Sequence, residues 1–441
     1  MSFEVARFGD LFNEPQRNGL TRPKKVRGTG LPMVNMGELF AYPRIRSIAM
    51  DLVPVDEKEH HYLLEAGDLL FARQSLVLSG AGQCSIFLGN DAPTVFESHL
   101  IRCRLNAIRS NPLFYFYFFR SPDGRRAIEA IVEQGAGASG IRGSDLVNVQ
   151  VPNPPKQIQD EIAALLGSFD DRITLLRETN TTLETIAQAL FKSWFVDFDP
   201  VHAKMQGRAP EGMDEATAAL FPDSFEESEL GPVPSGWRVE PLAQLFEFKE
   251  GPGIRNWQYT NSDIGTRFIN IRCIQDGDLK IETANRISNE EANGKYAHFH
   301  LKAWDVVVST SGTLGRSAIV RNEHLPLMLN TSVIRFSPIE GKTTFSYLYE
   351  YLNFPEFLYK LESMASGSVQ KNFGPMHLKQ ISLLAPPFSV LLAFEIVTRP
   401  LFEKIVANRA LVENISELRD ALLPCLISGK LKLSEAVTST R

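Results

Sequence analysis

Residues 154–191 read PPKQIQDEIAALLGSFDDRITLLRETNTTLETIAQALF, and residues 386–423 read PPFSVLLAFEIVTRPLFEKIVANRALVENISELRDALL, an ungapped repeat 232 positions later. Pro154-Pro155 falls on Pro386-Pro387. Ile162, Leu166, Phe169, Ile173, Leu183 and Leu190 fall on Phe394, Thr398, Leu401, Ile405, Ile415 and Leu422. After the first Pro-Pro, Ile162, Leu166, Phe169, Ile173, Leu176, Asn180, Leu183, Ala187, Leu190 and Trp194 recur in steps of four and three, the spacing of a coiled-coil seam. The second seam runs Phe394, Thr398, Leu401, Ile405, Asn408, Val412, Ile415, Arg419, Leu422. Each seam carries one asparagine, Asn180 or Asn408, at non-equivalent repeat positions. An antiparallel pairing in which partner numbers sum to 588 sets Asn180 against Asn408, Ile173 against Ile415, Leu176 against Val412 and Leu183 against Ile405. Two facing asparagines satisfy each other, whereas asparagine against leucine stays unpaired and costly. The expectation is an intramolecular antiparallel coiled coil in that register; the alternative is that each helix packs on another chain.

The duplication extends beyond the helices. Val5, Phe8, Leu11 and Phe12 match Val239, Leu242, Leu245 and Phe246. The run Leu64–Leu70 matches Leu301–Val307, Gly82–Phe87 matches Gly315–Val320, and Leu100–Arg102 matches Val333–Arg335, with about four extra residues before Gly82 in the first copy. Short apolar runs followed by Gly/Ser-rich turns, Leu69–Ala72 and Val306–Val308, predict strands. Asn111-Pro112 predicts a helix start, and the aromatic run Leu113–Phe119 behind it a core helix. The fold class is α+β: two repeated mixed α/β domains separated by two long helices forming an antiparallel coiled coil, with pseudo-twofold symmetry. The boundaries are a first domain over 1–153, a spacer helix over 154–198, a linker over 199–234, a second domain over 235–385, a second spacer helix over 386–430 and a tail over 431–441. The linker is rich in Pro, Gly, Ala and acids, without periodicity, and allows a short helix near Asp214–Leu220.

No apolar run is long enough to span a bilayer, and the first residues lack a signal-peptide pattern. The scattered cysteines, Cys84, Cys103, Cys273 and Cys425, support neither a disulfide framework nor a metal site, which suits a reducing cytoplasm. The net charge of −6 arises in residues 154–234, where 6 Lys+Arg face 15 Asp+Glu; the other segments are balanced. The acidity therefore does not exclude DNA, although contacts should be local.

Catalytic motifs fail one by one. Asn153-Pro154-Pro155-Lys156 starts like an adenine methyltransferase motif, but lysine stands where an aromatic would stack on the flipped base. The repeat copy, Ala385-Pro386-Pro387-Phe388, has the aromatic and lacks the polar first residue. Gly341-Lys342-Thr343 lacks the first glycine of a phosphate loop, which would fall at Phe336. No catalytic residue is assigned.

Residue types suited to DNA lie in loops. Lys24, Lys25 and Arg27, in Arg22–Gly30, suit phosphates; a solvated loop explains them nearly as well. Arg73, Gln74 and Ser75 follow one strand, and Ser309, Thr310 and Ser311 follow its repeat. Arginine can address guanine, glutamine adenine, and serine or threonine either. Gln83 and Arg316 stand at matching positions after the shared glycine. Gln370, Lys371 and Asn372, in the polar turn from Gly367, match the Gly-rich 135–140 segment. For each loop the bland alternative is a hairpin turn.

The order of these features resembles the specificity subunit of Type I restriction-modification enzymes over nearly the whole chain. Leu190–Pro200 after the first helix, Gly236-Trp237 opening the second domain and Ile427–Leu431 closing the second helix are similar to that family's patterns. The resemblance implies a non-catalytic subunit that reads an asymmetric bipartite site on double-stranded DNA, one domain per half. It also implies docking of two methyltransferase subunits and two restriction-translocase subunits. S-adenosylmethionine, ATP and magnesium would sit on those partners, and none in this chain. The competing readings are an adaptor that holds methyltransferase subunits without recognising a site, a self-sufficient DNA methyltransferase, and a coiled-coil scaffold.

Overall fold

The structure, a computed structural model, describes residues 3–135, 137–364 and 372–431. The chain divides into two compact units, Met1–Thr174 with Glu413–Arg441, and Leu175–Val412.

The first unit is built on a five-stranded sheet of β1 (Phe12–Asn18), β2 (Arg44–Ile45), β3 (Leu69–Ala72), β4 (Cys84–Phe87) and β5 (Leu100–Leu105), in the order β1-β5-β3-β4-β2. Helix α1 (Pro112–Arg120) packs on it. Asn111 caps that helix by accepting from the amides of Leu113 and Phe114, and proline occupies the first turn, where a missing N–H costs nothing. Six consecutive aromatics, Phe114–Phe119, are buried in one core with Phe8, Phe71 and Ile101. The 40-residue helix α2 (Lys156–Phe195) follows.

The second unit repeats the scheme: β6 (Phe246–Glu250), β7 (Val306–Ser309), β8 (Ser317–Ile319) and β9 (Val333–Pro338) pair in the order β6-β9-β7-β8. Helix α3 (Phe345–Asn353) replaces α1, and the 40-residue α4 (Phe388–Ile427) replaces α2. The registers coincide with the sequence repeat. Leu70 faces Arg102 and Ser85, and their counterparts Val307, Arg335 and Ala318 face one another in the same way. Val5 pairs with Pro152 as Val239 pairs with Leu384.

At roughly 1.5 Å per residue, each long helix is about 60 Å long. Neither stands free of the sheets. In the first unit Ile162 and Leu166 of α2 and Leu422 and Leu426 of α4 enter the aromatic core. Arg419 Nη1 there donates to Asp170 Oδ1 at 2.5 Å, and the Tyr117 hydroxyl donates to Asp170 Oδ2 at 2.6 Å. In the second unit Ala187 and Phe191 of α2 pack with Phe394, Phe402 and Ile405 of α4. Asn408 Nδ2 donates to Asn180 Oδ1 at 2.8 Å, the contact of the 588 register. Of the other seam residues named from sequence, Ile173, Leu176 and Ile405 are buried, and Val412 and Ile415 are half-buried; Leu183 packs against the second core. The spacer helices thus belong to the units they brace, rather than forming a body of their own.

The stretch 199–234, expected to be a linker, is folded. It forms helices Asp199–Met205 and Glu215–Ala219 and a hairpin of Phe225–Ser228 with Gly231–Pro234. Val201, Phe221 and Val233 are buried with Trp194 and Trp237. Anchors scattered among prolines and glycines show no period, yet each finds an aromatic pocket. Among the described residues, no helix is long and apolar enough to cross a membrane.

Candidate nucleic-acid interface

In the first unit, β3 runs out into Arg73, Gln74 and Ser75. Gln74–Ser75 pairs with Ser139–Gly140, which in turn pairs with Glu133–Gln134. Two backbone bonds pin the start of this ribbon: Arg73 donates its amide to the His99 carbonyl at 2.8 Å, and Ile141 donates to the Arg73 carbonyl at 2.9 Å. With its backbone held, Arg73 and Gln74 present exposed side chains that make no hydrogen bond or ion pair to other described residues. They border a cleft of about 290 Å³ with Gly135, Ser139, Gly140 and Arg142. The ribbon brings together the 73–75 loop and the Gly-rich 135–140 segment, which are separate candidates in the sequence. Arg142 is paired with Glu133 at 2.7 Å.

The second unit keeps the pairing and changes the side chains. Ser311 bridges Asn372 as Gln74 faces Gly140, and Phe373 donates to the Thr310 carbonyl as Ile141 does to Arg73. Ser309, Thr310 and Ser311, however, are buried. The Ser309 hydroxyl donates to the Thr313 carbonyl at 2.7 Å and accepts from the Arg316 amide at 3.0 Å. The Ser309 hydroxyl thus ties the Gly312–Gly315 turn inward, and all three side chains are buried in this structure, where the sequence placed them at base edges. Of the polar candidates here, Arg316 and Asn372 are exposed. Gln83, the counterpart of Arg316, is half-buried. Gln370 and Lys371 lie outside the described residues.

The Arg22–Gly30 segment is only partly available to an anion. Arg22 pairs with Glu59 at 2.5 Å and Arg27 with Asp51 at 2.7 Å. Lys24 and Lys25 sit exposed on a 3-10 turn, without an ion pair among the described residues.

Three features escaped the sequence reading. The first is a buried ion network: Asp68 accepts from Arg104 Nε at 2.8 Å and Nη2 at 2.7 Å, while Glu14 lies 2.8 Å from Arg104 and 3.1 Å from Arg102. The second is a pocket of about 570 Å³ in the second unit, bordered by Arg316, Glu350, Glu184, Asp276 and Arg409. Burial, aided by the charge of Glu184, pushes the Glu350 carboxyl up to about 8. The third is a run of exposed apolar side chains, Leu76 at 89%, Val77 at 61% and Leu78 at 47%, directly after Ser75. The extra residues of the first copy were its only sequence signal.

Residues 2–185 and 234–390 match the family described as the Type I restriction modification DNA specificity domain. The chain is 26% identical over 415 residues to the Type I restriction enzyme HindI specificity subunit of Haemophilus influenzae, covering 83% of this chain and 87% of that protein. It is 25% identical over 326 residues to the MjaIX specificity subunit of Methanocaldococcus jannaschii, covering 73% and 69%. The crystal structure of a Type I restriction-modification S subunit from M. genitalium superposes with a TM-score of 0.57 at 15% identity, covering 96% of each chain, a likeness of fold.

Proposed function

The chain belongs to the family of Type I restriction-modification DNA specificity domains, and on that premise we propose that it is the DNA sequence-recognition subunit of such a complex. It reads an asymmetric, two-part target on double-stranded DNA, one half per unit, and carries no catalysis of its own. The observation that supports this best is the contrast at one repeated strand end. The same register presents free Arg73 and Gln74 in one unit, and buried Ser309–Ser311 with exposed Arg316 and Asn372 in the other. One scaffold with two different sets of exposed side chains suits two different half-sites.

Its partners are the modification subunits, two per chain, which place a methyl group on adenine, and two restriction-translocase subunits. S-adenosylmethionine, ATP and magnesium belong to those partners, and the complex works in the cytoplasm. Exposed Phe388, Leu392 and Ile396, four residues apart along one face of α4, offer an apolar stripe suited to a protein partner. Two unpaired side chains on a pinned ribbon favour this reading over an adaptor that recognises no site. The test is to replace residues 236–385 with the matching segment of another specificity subunit and assay target choice. One half of the target should change while the other and the gap persist; a change in both halves, or in neither, contradicts the assignment.

A further inference from the structure

We propose that Leu76 reads thymine: the loop Ser75–Gly80 of the first unit makes apolar contact with a thymine 5-methyl group in the half-site which that unit recognises. This rests on the recognition role proposed above and adds a residue, a base and a chemical group to it.

Three consecutive exposed apolar residues on a soluble protein call for a use, whereas single ones do not. Here they are held in place. The Val77 amide donates to Ser75 Oγ at 3.2 Å, the Gly80 amide to the Val77 carbonyl at 3.0 Å, and Arg125 Nη2 to the Ser79 carbonyl at 3.0 Å. Gly80 closes the base of the loop against Ser75, where a Cβ would fall 2.2 Å from Ser75 Oγ and 2.9 Å from its Cβ, so a larger residue there would have to displace the Ser75 side chain. With these bonds in place Leu76 is turned out to solvent.

Leu76 stands beside a shallow recess of about 380 Å³, bordered by Met36 and Phe40 on its apolar side and by Gln74, Ser75 and His99 on its polar side. In the major groove, thymine is the base marked by a protruding methyl beside an acceptor oxygen, and an apolar side chain next to a hydrogen-bonding one matches that pair. Charge selects DNA over a protein as the occupant. Unpaired Arg73 precedes the loop and Arg125 is bonded to it. An apolar protein surface would desolvate these cations without compensation, whereas groove-flanking phosphates complement them. Among the described residues the second unit has no equivalent: its turn is only Gly312–Gly315, and Leu314 there packs against the core. The contact is therefore specific to one half-site.

The test uses the complex of this chain with its methyltransferase subunits, bound to a duplex of its mapped target in which single thymines are replaced by deoxyuridine. Losing one buried methyl should weaken binding about fourfold at one or two thymines of the first unit's half-site. In Leu76→Ala that penalty should fall below twofold, while deoxyuridine effects in the other half stay unchanged. Leu76→Met, which keeps an apolar contact, should retain it. Equal penalties in wild type and Leu76→Ala, a half-site without thymine, or a Leu76→Ala chain that folds but no longer binds its methyltransferase would each overturn the inference. A wild-type complex with no site preference would defeat the recognition role itself, and this inference with it.

Discussion

Asn408 Nδ2 donates to Asn180 Oδ1 at 2.8 Å, and Asn180 Nδ2 donates to the Ile405 carbonyl at 3.3 Å, so two buried amides satisfy each other inside an apolar seam. A buried polar pair contributes little net stability but penalises every other alignment, because a shifted helix would set each amide against a hydrocarbon. Asn180→Leu alone should destabilise the chain by about 1–3 kcal/mol in urea denaturation, since it strands the Asn408 amide. The double variant with Asn408→Leu should recover most of that loss. Additive losses would show that the two amides do not act as a pair.

Asp68 and Asp305 occupy the same place in the repeat with different partners. Asp68 holds Arg104 through two bonds within a buried ion network, whereas Asp305 accepts from the Ser337 hydroxyl at 2.7 Å and the Lys302 amide at 2.7 Å. Removing Asp68 takes from Arg104 its one fully buried counter-charge and leaves it only the more exposed Glu14 and Glu65. Asp68→Ala should therefore cost about 3–5 kcal/mol, and Asp305→Ala about 1–3 kcal/mol. Melting of the two variants compares them directly, and equal costs would contradict the distinction.

These relationships divide what the amino acids disclosed from what they concealed. Heptad spacing and a single asparagine per seam were enough to give the helix register, and the apolar repeat carried the strand pairings, because both depend on periodicity. Burial of Ser309–Ser311 was hidden. A serine suits a base edge and a tight turn equally well, and only the closed Gly312–Gly315 turn decides between them. Packing of residues 199–234 was hidden too, since Val201, Phe221 and Val233 follow no period. Leu76 lay in plain sight, but exposure is a property of the fold, and leucine in sequence suggests a core.

Glu350 makes the second unit sensitive to pH. A solvated carboxyl titrates near 4.5, and this one near 8. Between those values the folded chain retains a proton that the unfolded chain has released. The stabilising effect is therefore complete below about pH 4.5 and is lost as pH rises to about 8. Glu350→Gln should flatten this slope and stabilise the chain at pH 8 by about 1–3 kcal/mol, measured by urea denaturation across the range. An unchanged slope would show that Glu350 is not its source.

Lys24 and Lys25 should act differently from Arg73. If they neutralise phosphates, the double alanine variant should weaken all DNA alike and lower the salt slope of binding by about 0.9 for each phosphate no longer neutralised. Arg73→Ala should instead cost about 1–3 kcal/mol on the cognate site and relax preference at one base pair. Equal weakening on cognate and unrelated duplexes would move Arg73 to the phosphate class.

The most direct test expresses this chain with the methyltransferase encoded beside it, in a host without adenine methylation, and maps N6-methyladenine across the genome by single-molecule sequencing. A recognition subunit with two unlike reading units should yield one motif made of two different halves at a fixed separation. A continuous motif, or a soluble complex that methylates nothing, would contradict that role.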